Sequence, residues 1–199
     1  MFEIEKKFHL TETQRQNLLD GAEFIGVKQM TDVYFDTPSY KLTTKDMWLR
    51  KRDDVFELKV ALPGHDMRVI NQYDEITQDD AIREKLNIQK QASLDEDLIA
   101  SGYMPFVSCH TTRRKYKKDG FNIDIDHVDY DSSFDYELAE IEVTFESEAD
   151  KPQAIKSILD FAKAHHLTDE PIRGKVVEYL IQERPEHYKA LVDSGVIKE

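Results

Sequence analysis

Charged and apolar residues alternate in five separate stretches of this chain, and a period of two is the signature of a strand, not a helix. Near the start, Glu3, Glu5 and Lys7 fall on one face while Phe2, Ile4 and Phe8 fall on the other. Arg50 and Arg52 share a face, and Glu57 and Lys59 oppose Phe56, Leu58 and Val60. Asp124 opposes Ile123 and Ile125, and Glu140 with Glu142 opposes Ile141 and Val143. A sheet built from such strands has one apolar face for helices to cover and one ionic face. In the ordinary alternative the ionic face meets water on an open antiparallel sheet. Repulsion does not decide between the two, because a like-charged pair at about 4 Å costs on the order of 4 kcal/mol at an effective dielectric near 20 and about 1 kcal/mol in water. Repetition over five strands favours the other arrangement, a charged concave interior with patches for metal and for anion.

The 199 residues suit one domain, residues 1–199, with a substantial core. No stretch approaches the roughly 20 apolar residues that span a bilayer, and the first residues lack the basic and apolar regions of a signal peptide. A cytoplasmic protein with no membrane association is expected. The single Cys109 excludes an intramolecular disulfide and is compatible with a reducing compartment. A net charge of -13 argues against a nucleic-acid surface, which needs clustered Lys and Arg, but leaves room for a small anion inside a basic pocket. Nothing in the sequence points to an obligate protein partner.

Along the chain, Thr11 with Gln14 forms a capping box, Leu18 and Leu19 give the helix an apolar stripe, and Gly21 is placed to stop it. Strands are expected over 30 to 36 and 46 to 60, joined by the turn-rich Asp36-Thr37-Pro38-Ser39. Pro63-Gly64 marks another turn and 66 to 76 another strand. From Thr77 to Gly102 the pattern is helical, with a second capping box at Ser93 and Glu96. Strands follow over 105 to 117, 120 to 130 and 136 to 146, with Asp119-Gly120 as a hairpin signal. A helix is expected over 151 to 165, and two helical pieces in the last forty residues, the second starting at Pro185.

Taken in order, Glu3-Ile4-Glu5-Lys6-Lys7, Trp48-Leu49-Arg50-Lys51-Arg52, Glu57-Leu58-Lys59, Arg113, Asp124, Glu140-Ile141-Glu142 and Lys175 make a succession that resembles the CYTH superfamily, the triphosphate tunnel metalloenzymes, over nearly the whole chain. Tyr34-Phe35-Asp36-Thr37-Pro38, Lys175-Val176-Val177-Glu178-Tyr179-Leu180 and Arg184-Pro185-Glu186-His187-Tyr188 are similar to the thiamine triphosphatase branch. The resemblance implies an α+β fold, a closed antiparallel β-barrel enclosing a triphosphate tunnel with helices packed outside. It implies a metal-dependent hydrolase that converts thiamine triphosphate to thiamine diphosphate and phosphate. Substrate would be held by Lys7, Arg50, Arg52, Lys59, Arg113 and Lys175, and metal by Glu3, Glu5, Glu75, Asp124, Glu140 and Glu142. These six bases and six acids cancel, so a triphosphate of about four negative charges calls for two divalent cations. An all-carboxylate donor set suits Mg²⁺ or Mn²⁺ rather than zinc. Guanidinium groups can grip phosphate in bidentate fashion. Lys59, Tyr34 and Lys7 are the catalytic candidates, with Tyr34 and Lys59 corresponding to the branch's tyrosine–lysine dyad.

Trp48 shares parity with Arg50 and Arg52 and, with Tyr73, is placed to face the tunnel, where a flat organic group could stack. Three other readings use the same residues: an inorganic triphosphatase or polyphosphatase, a class IV-type adenylate cyclase, and a non-catalytic polyphosphate-binding module. The full acidic set favours an enzyme over the last. Cys109-His110 cannot form a dyad, since neighbours on a strand face opposite sides. His165-His166 reads as a surface pair at a helix end, and the acidic run from Asp124 to Asp135 lacks the spacing of a calcium loop.

Overall fold

In a computed structural model, residues 2–62, 73–131, 134–168 and 172–198 are described, without the side chains of Phe2, Glu3 and Glu148. Eight strands form one sheet: β1 (Phe2–Phe8), β2 (Glu23–Asp36), β3 (Met47–Arg52), β4 (Val55–Ala61), β5 (Tyr73–Ile76), β6 (Met104–Lys118), β7 (Phe121–Tyr130) and β8 (Asp135–Phe145). Their order is β1-β8-β7-β6-β2-β3-β4-β5, and every neighbouring pair is antiparallel. Among the described residues β1 and β5 end the sheet without pairing to each other, so the expected barrel wall is a curled half-barrel. All eight strands contribute side chains to one cavity on its concave side. Among the described residues six helices complete the α+β fold: α1 (Glu12–Leu19), α2 (Asp79–Leu86), α3 (Leu94–Ala100), α4 (Lys151–Ala164), α5 (Lys175–Glu183) and α6 (Pro185–Asp193).

Local chemistry accounts for most boundaries. Thr11 and Ser93 each accept from the backbone N–H three residues on, and both capping boxes are complete. Asp119 and Gly120 both have positive φ, 50° and 86°, the backbone of a tight hairpin turn between β6 and β7. The expected strand over 46 to 60 is two, because Asp53 turns the chain at φ 53°. The helical stretch from Thr77 is likewise two helices, broken at Asn87 with φ 55°. Strand β2 starts at Glu23, well before the expected position 30, since its first half is largely solvent-exposed and carries no burial alternation. The Pro63-Gly64 turn and most of the strand expected over 66 to 76 lie outside the described residues.

The convex face is apolar and covered. Ile4, Phe8, Ile123, Ile125, Ala139 and Ile141 pack against Leu18 of α1 and Ala154, Ile158, Phe161 and Ala162 of α4. Further along the sheet, Phe35, Leu49, Phe56 and Leu58 pack against Ile82 of α2 and Leu94 and Leu98 of α3. The concave face differs from the uniformly ionic surface expected from sequence. Along β8 it runs Glu142, Glu140, Leu138, Tyr136, and along β7 Asp124, Asp126, Val128, Tyr130. Its far end is therefore apolar, and there it packs against Val176, Val177 and Leu180 of α5, Leu191 of α6 and Ile197. Tyr130 and Tyr136 donate their hydroxyls to the carbonyls of Lys175 and Arg173, both at 2.7 Å, which ties the start of α5 to the sheet. No helix among the described residues is long and apolar enough to cross a membrane.

Candidate active site

The concave face encloses a cavity of ≈ 1020 Å³ whose lining changes from ionic to apolar along the strands. Strand register builds the acidic side. Glu5 of β1 stands opposite Glu142 of β8, and Lys7 opposite Glu140. Glu140 in turn stands opposite Asp124 of β7, and Asp126 opposite Arg113 of β6. Directly opposed residues have Cβ atoms about 5 Å apart, so the carboxylates converge without any special loop. One oxygen from each of Glu5, Glu140 and Glu142 lies within 4.8 Å of the other two. At that separation each pair repels by roughly 3 kcal/mol at an effective dielectric of 20. Cations at the edge offset part of this: Lys7 bonds Glu5 and lies 3.4 Å from Glu140, and Arg113 donates to Glu140 at 2.5 Å. Burial disfavours the Lys7 ammonium, but Glu5 and Glu140 outweigh it and hold its pKa above the usual lysine range. Three carboxylates with no sulfur or imidazole among them fit a hard divalent cation, which would replace repulsion with coordination.

Arg113 is more deeply committed to carboxylates than its expected role as a phosphate ligand suggests. Its guanidinium donates to both oxygens of Asp126 and to Asp124, each at 2.7 Å, as well as to Glu140. Four of its five N–H groups are thereby used. Asp124 also accepts from Lys115 at 3.2 Å, and its other oxygen is buried without a hydrogen-bond partner.

The basic side is organised by Asp32, fully buried in β2. Arg52 donates to both its oxygens, at 2.7 and 3.0 Å, and Lys175 from the start of α5 bonds it as well. Arg50 donates to Glu57 at 2.5 Å, while its Nε is buried with no acceptor, the nearest Asp32 oxygen lying at 3.8 Å. Arg50 lines the cavity, so its guanidinium is within reach of an anion bound there. Lys59 donates to Glu75 at 2.5 Å and lies 3.9 Å from Glu57. The Tyr34 phenol is an electrostatic neighbour of Arg50 and Lys175.

Burial alone would raise the Asp32 pKa, but the Arg52 hydrogen bonds and the Lys175 and Arg50 charges hold the carboxyl well below its usual range. A carboxyl with a depressed folded pKa stabilises fully above its unfolded value, about 3.9, and loses that contribution as pH falls toward the folded value. Asp32→Asn should therefore be less stable at neutral pH, with a shallower fall in Tm below pH about 4. Parallel acid limbs in the two proteins would show that Asp32 does not carry this pH dependence.

At the apolar end, Trp48, Arg50 and Arg52 follow one another along β3 at about 6.6 Å per step. Trp48 is 7% exposed and, like Tyr73, lines the cavity. Both rings are held by Asp46, whose Oδ1 accepts from the Trp48 indole N–H at 2.8 Å and the Tyr73 hydroxyl at 2.9 Å. The turn that carries Asp46 is fixed from behind. The buried Asp36 carboxylate accepts from the backbone N–H groups of Thr37, Leu42 and Thr43 and from the Thr43 hydroxyl. The Thr43 hydroxyl also meets His187 of α6 at 2.7 Å, and that imidazole stacks on Tyr40 with centroids 3.9 Å apart. Burial pulls the His187 pKa down to about 4, so the ring is neutral at physiological pH. Asp36-Thr37-Pro38 and the Arg184–Tyr188 segment, far apart in sequence, are thus two halves of one support.

Of the six acids expected to bind metal, Glu5, Glu140 and Glu142 come together. Glu75 lies across the cavity on β5 with Lys59, Asp124 lies behind Arg113, and the side chain of Glu3 is outside the described set. Lys7, Arg50, Arg52, Lys59, Arg113 and Lys175 all line the cavity. Sequence reasoning placed Glu57 on the ionic face without a role in the site and missed Asp32, Asp126 and Asp46. Cys109 lies at the apolar end, where burial pushes its thiol up to about 12, far from a reactive thiolate. His110 is on the exposed opposite side, and His165 rests on Phe161 at the end of α4.

A curled antiparallel half-barrel with an ionic cavity defines a known class, and the chain belongs to the CYTH domain family, whose description matches residues 1–171. Human thiamine-triphosphatase is 27% identical over 219 aligned positions, covering 100% of this chain and 93% of the human protein. Thiamine-triphosphatase of Macaca fascicularis is 26% identical over the same span. A solved Pyrococcus horikoshii structure shares the fold with a TM-score of 0.64 at 20% identity, covering 92% of this chain and 100% of that one. An adenylyl-cyclase candidate from Hippeastrum, described as having a dominant triphosphatase activity, shares it with a TM-score of 0.55 at 18% identity, covering 91% and 96%.

Proposed function

We propose that this protein is a divalent-metal-dependent triphosphatase acting on an organic triphosphate, thiamine triphosphate above others, and releasing orthophosphate. The observation that carries this reading is one cavity holding both a carboxylate triad, Glu5, Glu140 and Glu142, and a facing set of cations led by Arg50, whose buried Nε has no acceptor. The thiamine-triphosphatase relatives support the substrate. So does the apolar end of the cavity, since inorganic triphosphate has nothing to place against Trp48, Tyr73 and Ile197.

In this reading Glu5, Glu140 and Glu142 hold Mg²⁺ or Mn²⁺, which supplies charge neutralisation of the phosphate chain and activation of water. The chain's own residues do the rest. Arg50 and Arg52, both lining the cavity, offer guanidinium N–H groups to phosphate oxygens, Arg52 being held edge-on by Asp32. Lys59 neutralises charge where the bridging bond breaks, a contribution made before the reaction starts because the group is already positioned. Tyr34 donates to the phosphate beside Arg50 and Lys175. Its pairing with Lys59 rests on resemblance, since the Lys59 contacts run to Glu75 and Glu57. Lys7 keeps Glu5 and Glu140 at their spacing. Helices α5 and α6 exclude water from the end where the organic group lies.

Trp48 provides the test of substrate. Stacking of a flat or cationic ring on the indole is worth roughly 0.5 to 2 kcal/mol. In Trp48→Ala the ratio of kcat/KM for thiamine triphosphate to that for inorganic triphosphate should fall by about ten-fold, the factor that corresponds to 1.4 kcal/mol. An unchanged ratio would assign Trp48 to the wall alone and remove the physical support for an organic substrate.

A further inference from the structure

We infer that Asp46 is a positioning residue that sets the preference for the organic end of the substrate, by holding the Trp48 and Tyr73 rings on a single carboxylate oxygen. The inference rests on the triphosphatase reading of the cavity and concerns only its apolar end.

Three observations carry it. The two hydrogen bonds to Oδ1, 2.8 Å from the indole and 2.9 Å from the phenol, come from aromatic rings on different strands, β3 and β5. A shared acceptor fixes each ring in its own plane and also their spacing, which no single-ring contact does. Asp46 is itself immobilised: it sits in the left-handed region at φ 54° and ψ 42°, its N–H donates to the Thr43 carbonyl at 3.0 Å, and its carbonyl accepts from Ala61 at 3.2 Å. Behind it, the turn is clamped by Asp36 and by His187 through Thr43. The carboxylate is thereby a fixed point shared by the polar ends of both rings. Trp48, the ring it holds on β3, stands one two-residue step, about 6.6 Å, from Arg50, so the ring lies beside the cations proposed to hold the phosphate chain.

The left-handed backbone dictates the variants. Glycine adopts φ 54° without strain and removes the carboxylate, and asparagine tolerates the same backbone while keeping one acceptor oxygen. Trp48 is the chain's one tryptophan, so its intrinsic emission reads the contact directly in the intact protein. In Asp46→Gly the emission should shift and the ratio of kcat/KM for thiamine triphosphate to that for inorganic triphosphate should fall on the order of ten-fold. Asp46→Asn should restore both readouts to within about three-fold of wild type, which a requirement for charge would not allow. A Gly variant with wild-type emission and ratio, or an Asn variant as impaired as Gly, overturns the inference while leaving the triphosphatase reading in place. A wild-type protein that turns over neither triphosphate overturns both.

Discussion

Arg113→Ala is expected to lose about 3 to 5 kcal/mol of stability, the penalty for stripping the partner from buried charges. For a domain of this length that is a fall in Tm of roughly 10 °C or more. The loss arises because, among the described residues, Arg113 is the one cation that reaches all three of Asp124, Asp126 and Glu140. Asp124 and Asp126 are 0% and 2% exposed, so water cannot take its place. The deficit should shrink at mildly acid pH. Burial already raises the Asp126 pKa with Arg113 present. Without the arginine the Asp126 carboxyl would bind a proton more readily folded than unfolded, and a group with a raised folded pKa gains stability as pH falls. Urea denaturation at pH 7 and pH 5 checks both statements. A deficit below 1 kcal/mol, as for an exposed ion pair, would mean the network is not the structural centre of the acidic side.

Glu142→Gln should behave differently, keeping stability and losing function. Removing its charge relieves repulsion with Glu5 and Glu140 but gives up the attraction of Arg113 at 4.0 Å, so the stability of the metal-free protein should change by less than about 1 kcal/mol. The substitution should also raise the Mg²⁺ concentration for half-activation by at least ten-fold and lower kcat on the order of 10² to 10³. The rise in Tm on adding Mg²⁺ should shrink accordingly, since ligand stabilisation follows affinity. Equal Mg²⁺ response in variant and wild type would remove Glu142 from the metal site. Together the two variants separate the part Arg113 plays in stability from the part Glu142 is proposed to play in metal binding.

The parity of Glu5, Glu140 and Glu142 was legible in the sequence because Glu140 and Glu142 have apolar neighbours on both sides and Glu5 alternates with Phe2, Ile4 and Phe8. What parity could not supply was register: only the pairing of β1 with β8 reveals that Glu5 meets Glu142 while Glu140 meets Lys7. Asp32 and Asp126 obey the same alternation as Tyr34 and Asp124 and were within reach of that rule had it been carried along β2 and β7. Asp46 was not, since it lies in a turn where alternation has no meaning and its two ring partners are brought to it by separate strands. The apolar end of the concave face was also hidden. Val128, Tyr130, Tyr136 and Leu138 read as ordinary core, and that α5 and α6 lie against them on the cavity side is a long-range fact. Arg113 was recognised as a site residue, but its commitment to Asp124, Asp126 and Glu140 depends on three strands meeting around one side chain.

Metal-dependent release of orthophosphate from an organic triphosphate is read out by product analysis. Chelator-treated protein, incubated separately with thiamine triphosphate, inorganic triphosphate and ATP, should be inactive on all three until Mg²⁺ is restored. It should then release orthophosphate, with the highest kcat/KM on thiamine triphosphate. Full activity without metal, or pyrophosphate as the main product, would contradict the account.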